Sequence, residues 1–167
     1  MFKYPHHKSN NLMLYILVII IFFVLALIYI FFLGVHRVHG ESMSPKYKDG
    51  NIIFTNRLSS NVKADRGQVI FFKSSRSSHI KRVIGIGGDD ITIHDGAVII
   101  NGTKLNEPYV LASSQTHGGD FLKEETKLKI PLNSYFVLGD NRDNSIDSRN
   151  FGFISSDEIL GVVWGEL

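Results

Sequence analysis

Cysteine is absent from the sequence. Its absence excludes disulfides, thiol catalysis and thiolate zinc sites, and with them a small secreted scaffold held by cross-links. A surplus of charge is missing too. The chain has 18 basic and 16 acidic residues, for a formal net charge of +2, too little to argue for a nucleic-acid partner. Internal repeats and low-complexity segments are also lacking. What is present is the composition of a folded chain, with 44% hydrophobic and 20% charged residues, which excludes a disordered polymer. At 167 residues the length suits about one globular domain.

Charge is absent altogether from residues 12–33, LMLYILVIIIFFVLALIYIFFL. These 22 apolar residues would form roughly 33 Å of helix, against a hydrocarbon core of about 30 Å. A cleaved signal peptide has a shorter apolar region, about 7–15 residues, followed by a small-x-small site. Here the run is longer and ends in FFLGVHRVHG without such a site, so it reads as a retained transmembrane anchor. Counting positive charges does not orient it, because Lys3 and Lys8 precede the span and Arg37, Lys46 and Lys48 follow it. Residues 35–167 hold 16 basic and 16 acidic residues, a balance with no polybasic lipid-binding signal.

The outer portion carries the periodicity of strands. Ile52–Thr55, Gln68–Lys73, His79–Ile86, Ser134–Leu138 and Ile159–Trp164 are the expected strands. In the third, strand geometry puts His79, Lys81 and Val83 on one face and Ile80, Arg82 and Ile84 on the other. Asp95-Gly96 and Asn101-Gly102 sit between β-branched runs and predict two consecutive type I′ hairpins, a β-meander over 90–105. Asn101-Gly102-Thr103 is also a glycosylation sequon, but the turn accounts for the same residues without a glycan. Residues 111–129 are polar and weakly patterned, and read as a loop. No long helix is expected beyond the span, so the fold class is mainly β with one N-terminal transmembrane helix.

Without cysteine, a nucleophile must come from serine, threonine, lysine or a carboxylate. A serine needs a base. His36, His39, His79, His94 and His117 are on offer, and no spacing singles one out. A lysine serves if desolvation keeps it neutral. Lys81 has the most apolar strand surroundings of the nine lysines after residue 34; the competing reading is an edge-strand lysine that discourages aggregation. His36 and His39 are spaced as an interfacial pair at a membrane exit, and no metal site is expected. The run Gly139–Arg149 concentrates Asp140, Asp143, Asp147, Arg142, Arg149, Ser145 and Ser148. It fails as a calcium loop, since glycine is missing at the sixth position and Arg142 intrudes. It reads either as a solvated loop with Asx turns or as a buried polar network in which Asp140 and Asp147 pair with Arg82 and Arg149.

Three segments in combination resemble the type I signal peptidases, membrane-anchored Ser/Lys proteases: GESMSPKYKDGN, HIKRVIGIGGD and IPLNSYFVLGDNRDNSIDSRNFGFI. QVIFF and NGTKLNEPYV match in order and spacing. The resemblance covers nearly all of residues 35–167 and the preceding anchor, in the compact Gram-positive form. It implies an antiparallel β-sheet peptidase domain over 35–167, a transmembrane helix over 12–33 and a short cytoplasmic tail over 1–11. The protein would be a single-pass protein of the cell membrane, with its catalytic domain outside the cytoplasm. It implies Ser42 as nucleophile, Lys81 as general base and Ser145 as the hydroxyl that holds the lysine. Arg82 with Asp140, and Asp147 with Arg149, would be structural ion pairs. Val38, Met43 and Ile80 would line the substrate cleft. Some members carry a serine two residues before the nucleophile as an oxyanion donor; here that position is Gly40, so the hole would rest on the Ser42 backbone N–H and whatever group or water Gly40 admits. Pro45-Lys46-Tyr47 and Gly87-Gly88-Asp89 depart from the usual Pro-Thr-Leu and Pro-Gly-Asp, which leaves room for a narrow substrate range.

The implied activity is removal of signal peptides from exported preproteins after Ala-x-Ala-like sites at the membrane surface, without cofactor, with the lipid bilayer as second partner. The sequence does not speak to oligomeric state. The alternative is a silent or dedicated relative that binds secreted precursors, such as pilus subunits, and helps them assemble; such relatives usually lack the serine or the lysine. A self-cleaving regulator with the same chemistry would carry a DNA-binding module or an internal cleavage loop in place of the span.

Overall fold

The computed structural model describes residues 11–56, 63–74 and 77–166. The chain divides into two units, Met1–Leu33 and Gly34–Leu167. In the first, helix α1 spans Asn11–Phe32, with no acidic residue in its first turn and no basic residue in its last. The helix expected over 12–33 is therefore present. Among the described residues no helix is long and apolar enough to cross a membrane. The expected tail over 1–11 lies outside the described residues, apart from Asn11.

In the second unit the strands are β1 (Leu33–Arg37), β2 (Ile52–Asn56), β3 (Val69–Ser74), β4 (Ser77–Ile86), β5 (Asp90–His94), β6 (Ala97–Ile100), β7 (Thr103–Lys104), β8 (Leu128–Lys129), β9 (Ser134–Leu138), β10 (Ile154–Ser155) and β11 (Ile159–Glu166). A one-turn helix α2 covers Ser148–Phe151. A seven-stranded sheet runs β1-β2-β11-β3-β4-β9-β10, and a four-stranded sheet runs β7-β6-β5-β8. From β2 onward every neighbouring pair in these two orders is antiparallel. The mainly β class expected from periodicity is thus observed.

The hairpins form where the turn chemistry puts them. Asp95 and Asn101 have φ of 48° and 52°, followed by Gly96 and Gly102 at 70° and 81°, so both central residues of each turn are left-handed, as a type I′ turn demands. The Asn101 side chain is spent inside the fold. Its Oδ1 accepts from Asp90 N–H at 2.9 Å, and its Nδ2 donates to Asp89 Oδ1 at 2.8 Å.

Three clusters make the core. Ile84, Ile91, Ile93, Val98, Ile100, Phe136 and Leu138 join the two sheets. Ile70, Phe72, Val83, Tyr135, Val137 and Ile154 pack on the other face of the large sheet. Val38, Met43, Tyr47, Ile53, Val69, Ile80 and Val163 form the third. Strands β4 and β9 are therefore covered on both faces, which is why SYFVL shows no polar alternation. The stretch 111–129 departs from the expected loop. It contains β8, and Leu122 is fully buried in the first cluster. Burying one leucine contributes about 1.5–3 kcal/mol, enough to dock a polar segment that has no periodicity to announce it.

Candidate active site

The segment after β1 is pinned from both sides. Val38 N–H donates to Asn51 O at 2.8 Å and Gly50 N–H donates to Val38 O at 2.9 Å, closing residues 38–51 into a loop. Within it, Ser44 N–H donates to Glu41 O and Tyr47 N–H to Met43 O, forming a tight turn. Met43 and Tyr47, one turn apart, sink into the third cluster. Ser42 falls between exposed Glu41 and buried Met43, so its hydroxyl sits at the edge of the core instead of in free solvent.

Lys81 lies on β4, opposite Ile70 of β3, and is only 4% exposed. It is not a solvated edge lysine. Its Nζ donates to Ser42 Oγ at 2.6 Å. Burial holds its pKa down at about 8, against the pull of Asp147 and then Asp140, which raise it; Arg149 lowers it further. No metal is needed for such an activation, and among the described residues no cluster of histidines and carboxylates is fit to hold one.

The two expected ion pairs are present. Arg82 meets Asp140 through Nε at 2.7 Å and Nη2 at 2.5 Å. It also donates to Gly67 O at 2.7 Å and stacks on Tyr109 with 4.0 Å to the ring centroid. Asp147 accepts from Arg149 Nε at 2.8 Å and Nη2 at 2.9 Å. Asp147 also caps α2 and accepts from Gly139 N–H at 3.1 Å. Gly139 is the close-approach point of the site. A Cβ there would collide with the Ser42 carbonyl oxygen and with the Ser145 side chain.

Ser145 does not hold the lysine in this structure. Its Oγ is buried with no hydrogen-bond partner, packed beside Gly139, while the lysine is engaged by Ser42. Gly40 adopts φ +82° with open space where a Cβ would stand, and its N–H donates to Asp49 Oδ1 at 2.8 Å. Val38, Ile80, Ser42 and Lys81 line a cleft of about 420 Å³ that also includes His39 and Ile53. Met43 is not on its wall. It is 0% exposed in the third cluster, because a residue that anchors the turn from inside has no surface left for a ligand. Of the five histidines after residue 34, His36, His39 and His79 line the cleft, whereas His94 pairs with Glu125 and His117 with Glu124.

The sequence reading missed Arg142, Glu107 and Asn141. Arg142 is 2% exposed; its Nε donates to Gly139 O at 3.0 Å, and its guanidinium engages both Glu107 oxygens and Thr116. A polar run carries no local signal that one of its arginines is buried; the partner, 35 residues upstream, supplies it.

A serine hydroxyl on a buried amine, beside a cleft at the sheet, has the make-up of a serine hydrolase. Comparison with known proteins supplies the rest. Residues 10–164 match the family model described as signal peptidase, peptidase S26. Signal peptidase I of Bacillus caldolyticus is 36% identical over 149 residues, 84% of this chain and 82% of that protein. Signal peptidase IB of Staphylococcus aureus (strain Mu50) is 34% identical over 146 residues, 80% and 76% of the two chains. The crystal structure of a signal peptidase I from Enterococcus faecalis V583 superposes with a TM-score of 0.52 at 31% identity, covering 62% of this chain and 98% of that one. The chain belongs to the signal peptidase family, peptidase S26, whose members are serine endopeptidases.

Proposed function

We propose that this protein removes signal peptides from exported preproteins with Ser42 as nucleophile and Lys81 as general base. The observation that carries the reading is the 2.6 Å bond between Lys81 Nζ and Ser42 Oγ, made by a lysine that burial holds at about 8. In its neutral form Lys81 takes the Ser42 proton as the oxygen attacks the scissile carbonyl. The resulting ammonium protonates the leaving amine, and the regenerated amine activates water to hydrolyse the acyl-enzyme. Once Ser42 is acylated the lysine loses its partner. The unpartnered Ser145 hydroxyl is then an acceptor to hold it.

Strand β9 pairs with β4 only from Arg82 onward. The half of β4 that carries Ile80 and Lys81 thus has β3 on one side and no paired strand on the other among the described residues. An extended substrate adds there by strand pairing, with alternate side chains directed into small pockets. Val38 and Ile80 would give those pockets apolar walls, in keeping with small residues one and three positions before the cut.

In the same proposal α1 is a single-pass anchor with a cytoplasmic N-terminus and residues 35–167 form the extracytoplasmic domain. Residues 12–33 carry no charge, and this sequence pattern is what supports an anchor. Holding enzyme and preprotein in one bilayer raises their effective concentration.

The decisive assay offers a labelled preprotein with an Ala-x-Ala site to the full chain in detergent or liposomes. Mature product is expected from the wild type, and Ser42→Ala is expected to lose about four to six orders of magnitude in kcat. A folded wild type that binds the preprotein without cutting it would instead favour the precursor-binding relative. The pH dependence carries its own sign. Lys81 acts unprotonated, so kcat/KM is expected to rise about tenfold per pH unit below about 8 and then level off. A profile flat from pH 6 to 9, on the order of that window, would exclude a lysine base.

A further inference from the structure

One residue makes two hydrogen bonds to the nucleophile segment. The Asn141 backbone N–H donates to the Ser42 carbonyl at 3.1 Å, and Asn141 Nδ2 donates to the Glu41 carbonyl at 3.1 Å, across 100 residues of sequence. The second bond has a directional consequence. Glu41 C=O and Ser42 N–H belong to one peptide unit, which is planar and trans, so they point in opposite directions. Fixing the oxygen fixes the hydrogen. A hydrogen bond accepted at the oxygen also polarises the N–H of the same unit.

With Ser42 as nucleophile, its N–H is the backbone donor left to the oxyanion, beside whatever group or water the open space at Gly40 admits. Gly40 brings no side chain, and its N–H is spent on Asp49. Ser44 N–H also donates to Glu41 O, but Ser44 belongs to the same turn and moves with it. Asn141 belongs to another frame. It follows Asp140, which is paired with Arg82, the neighbour of Lys81 on β4. The amide of Asn141 is thus the link between the turn that carries the oxyanion donor and the strand that carries the base.

We propose that Asn141 is a positioning residue for the oxyanion: by holding the Glu41 carbonyl it aims the Ser42 N–H at the substrate oxygen that gains charge in the transition state. The inference rests on Ser42 being the nucleophile. It assigns Asn141 no contact with the substrate ground state and no influence on Lys81.

The test compares the full-length wild type, Ser42→Ala, Asn141→Ala, Asn141→Asp and Asn141→Gln on the labelled preprotein, reading kcat, KM and the pH midpoint separately. Every Asn141 variant keeps the backbone N–H that binds Ser42 O, and Asp keeps the shape while losing the donor. Misaiming one oxyanion donor is expected to lower kcat about 10- to 100-fold in both Ala and Asp variants. KM should stay within about threefold of wild type, and the pH midpoint should not move in Asn141→Ala, which adds no charge. Gln, which retains the amide donor, should recover part of the loss. The proposal is overturned if kcat stays within about twofold of wild type in both the Ala and Asp variants, if the loss falls on KM, if the midpoint shifts in Asn141→Ala, or if Gln is no better than Ala. Activity retained by Ser42→Ala would instead refute the nucleophile assignment, so the two failures are distinguishable.

Discussion

Lys81→Met is expected to abolish cleavage while leaving the domain more stable than the wild type at neutral pH. Methionine matches the length of the lysine stem but has no basic nitrogen. The loss of the base should lower kcat by about 10⁴-fold, and no rise with pH should remain. The stability effect follows from the direction of the pKa shift. The folded-state value, about 8, lies below the ordinary 10.5, so the unfolded chain binds more protons between those two pH values and stability rises with pH across that window. Below about 8 the whole cost of burying the amine is present. A shift of this size corresponds to a penalty on the order of 3 kcal/mol, which methionine removes in exchange for one hydrogen bond to Ser42. Urea unfolding of the wild type and variant at pH 7 reads the difference. A variant that is both inactive and clearly less stable would make Lys81 a structural residue.

Asp140→Ala should produce the largest loss of stability. Arg82 and Asp140 are both buried, with side-chain exposures of 7% and 0%, and the pair is bidentate. Removing the carboxylate leaves a guanidinium with, among the described residues, the Gly67 carbonyl and the Tyr109 ring, and breaking a buried pair in this way costs about 3–5 kcal/mol. That is a large part of the roughly 5–15 kcal/mol that holds a domain. Asp140 also raises the pKa of Lys81, so activity that survives in Asp140→Asn should show its pH midpoint below that of the wild type. A denaturation midpoint for Asp140→Ala equal to that of the wild type would show that water or a neighbour compensates Arg82.

What local chemistry determines was legible in the sequence. Asp95-Gly96 and Asn101-Gly102 carry their own turn geometry, so the meander could be read at once. The expected strands at 52, 68, 79, 134 and 159 begin within two residues of the observed ones, because β-branched and aromatic runs pay little for extension. The pairings Arg82–Asp140 and Arg149–Asp147 came from the family resemblance and are seen in the structure. What stayed hidden depends on distance along the chain. Leu122 looks like any residue of a polar loop until β5 and β6 are beneath it. Arg142 and Glu107 are each unremarkable alone. Ser145 was expected on the lysine, yet its hydroxyl has no hydrogen-bond partner in the structure. Met43 was expected on the cleft wall, yet the turn it anchors consumes its whole surface.

The strand order sets a timetable. β11 is the last described strand, and it lies between β2 and β3 in the large sheet. Until the ribosome has released it, the part of the sheet that follows the serine turn has nothing to bond to on the side of the lysine strand. With Ser42 and Lys81 as the proposed pair, the strand after the serine turn and the strand of the lysine enter one sheet only when β11 lies between β2 and β3. Long-range strand pairing of this kind is slow to form. On this strand order the proposed site is completed only after β11 has been made.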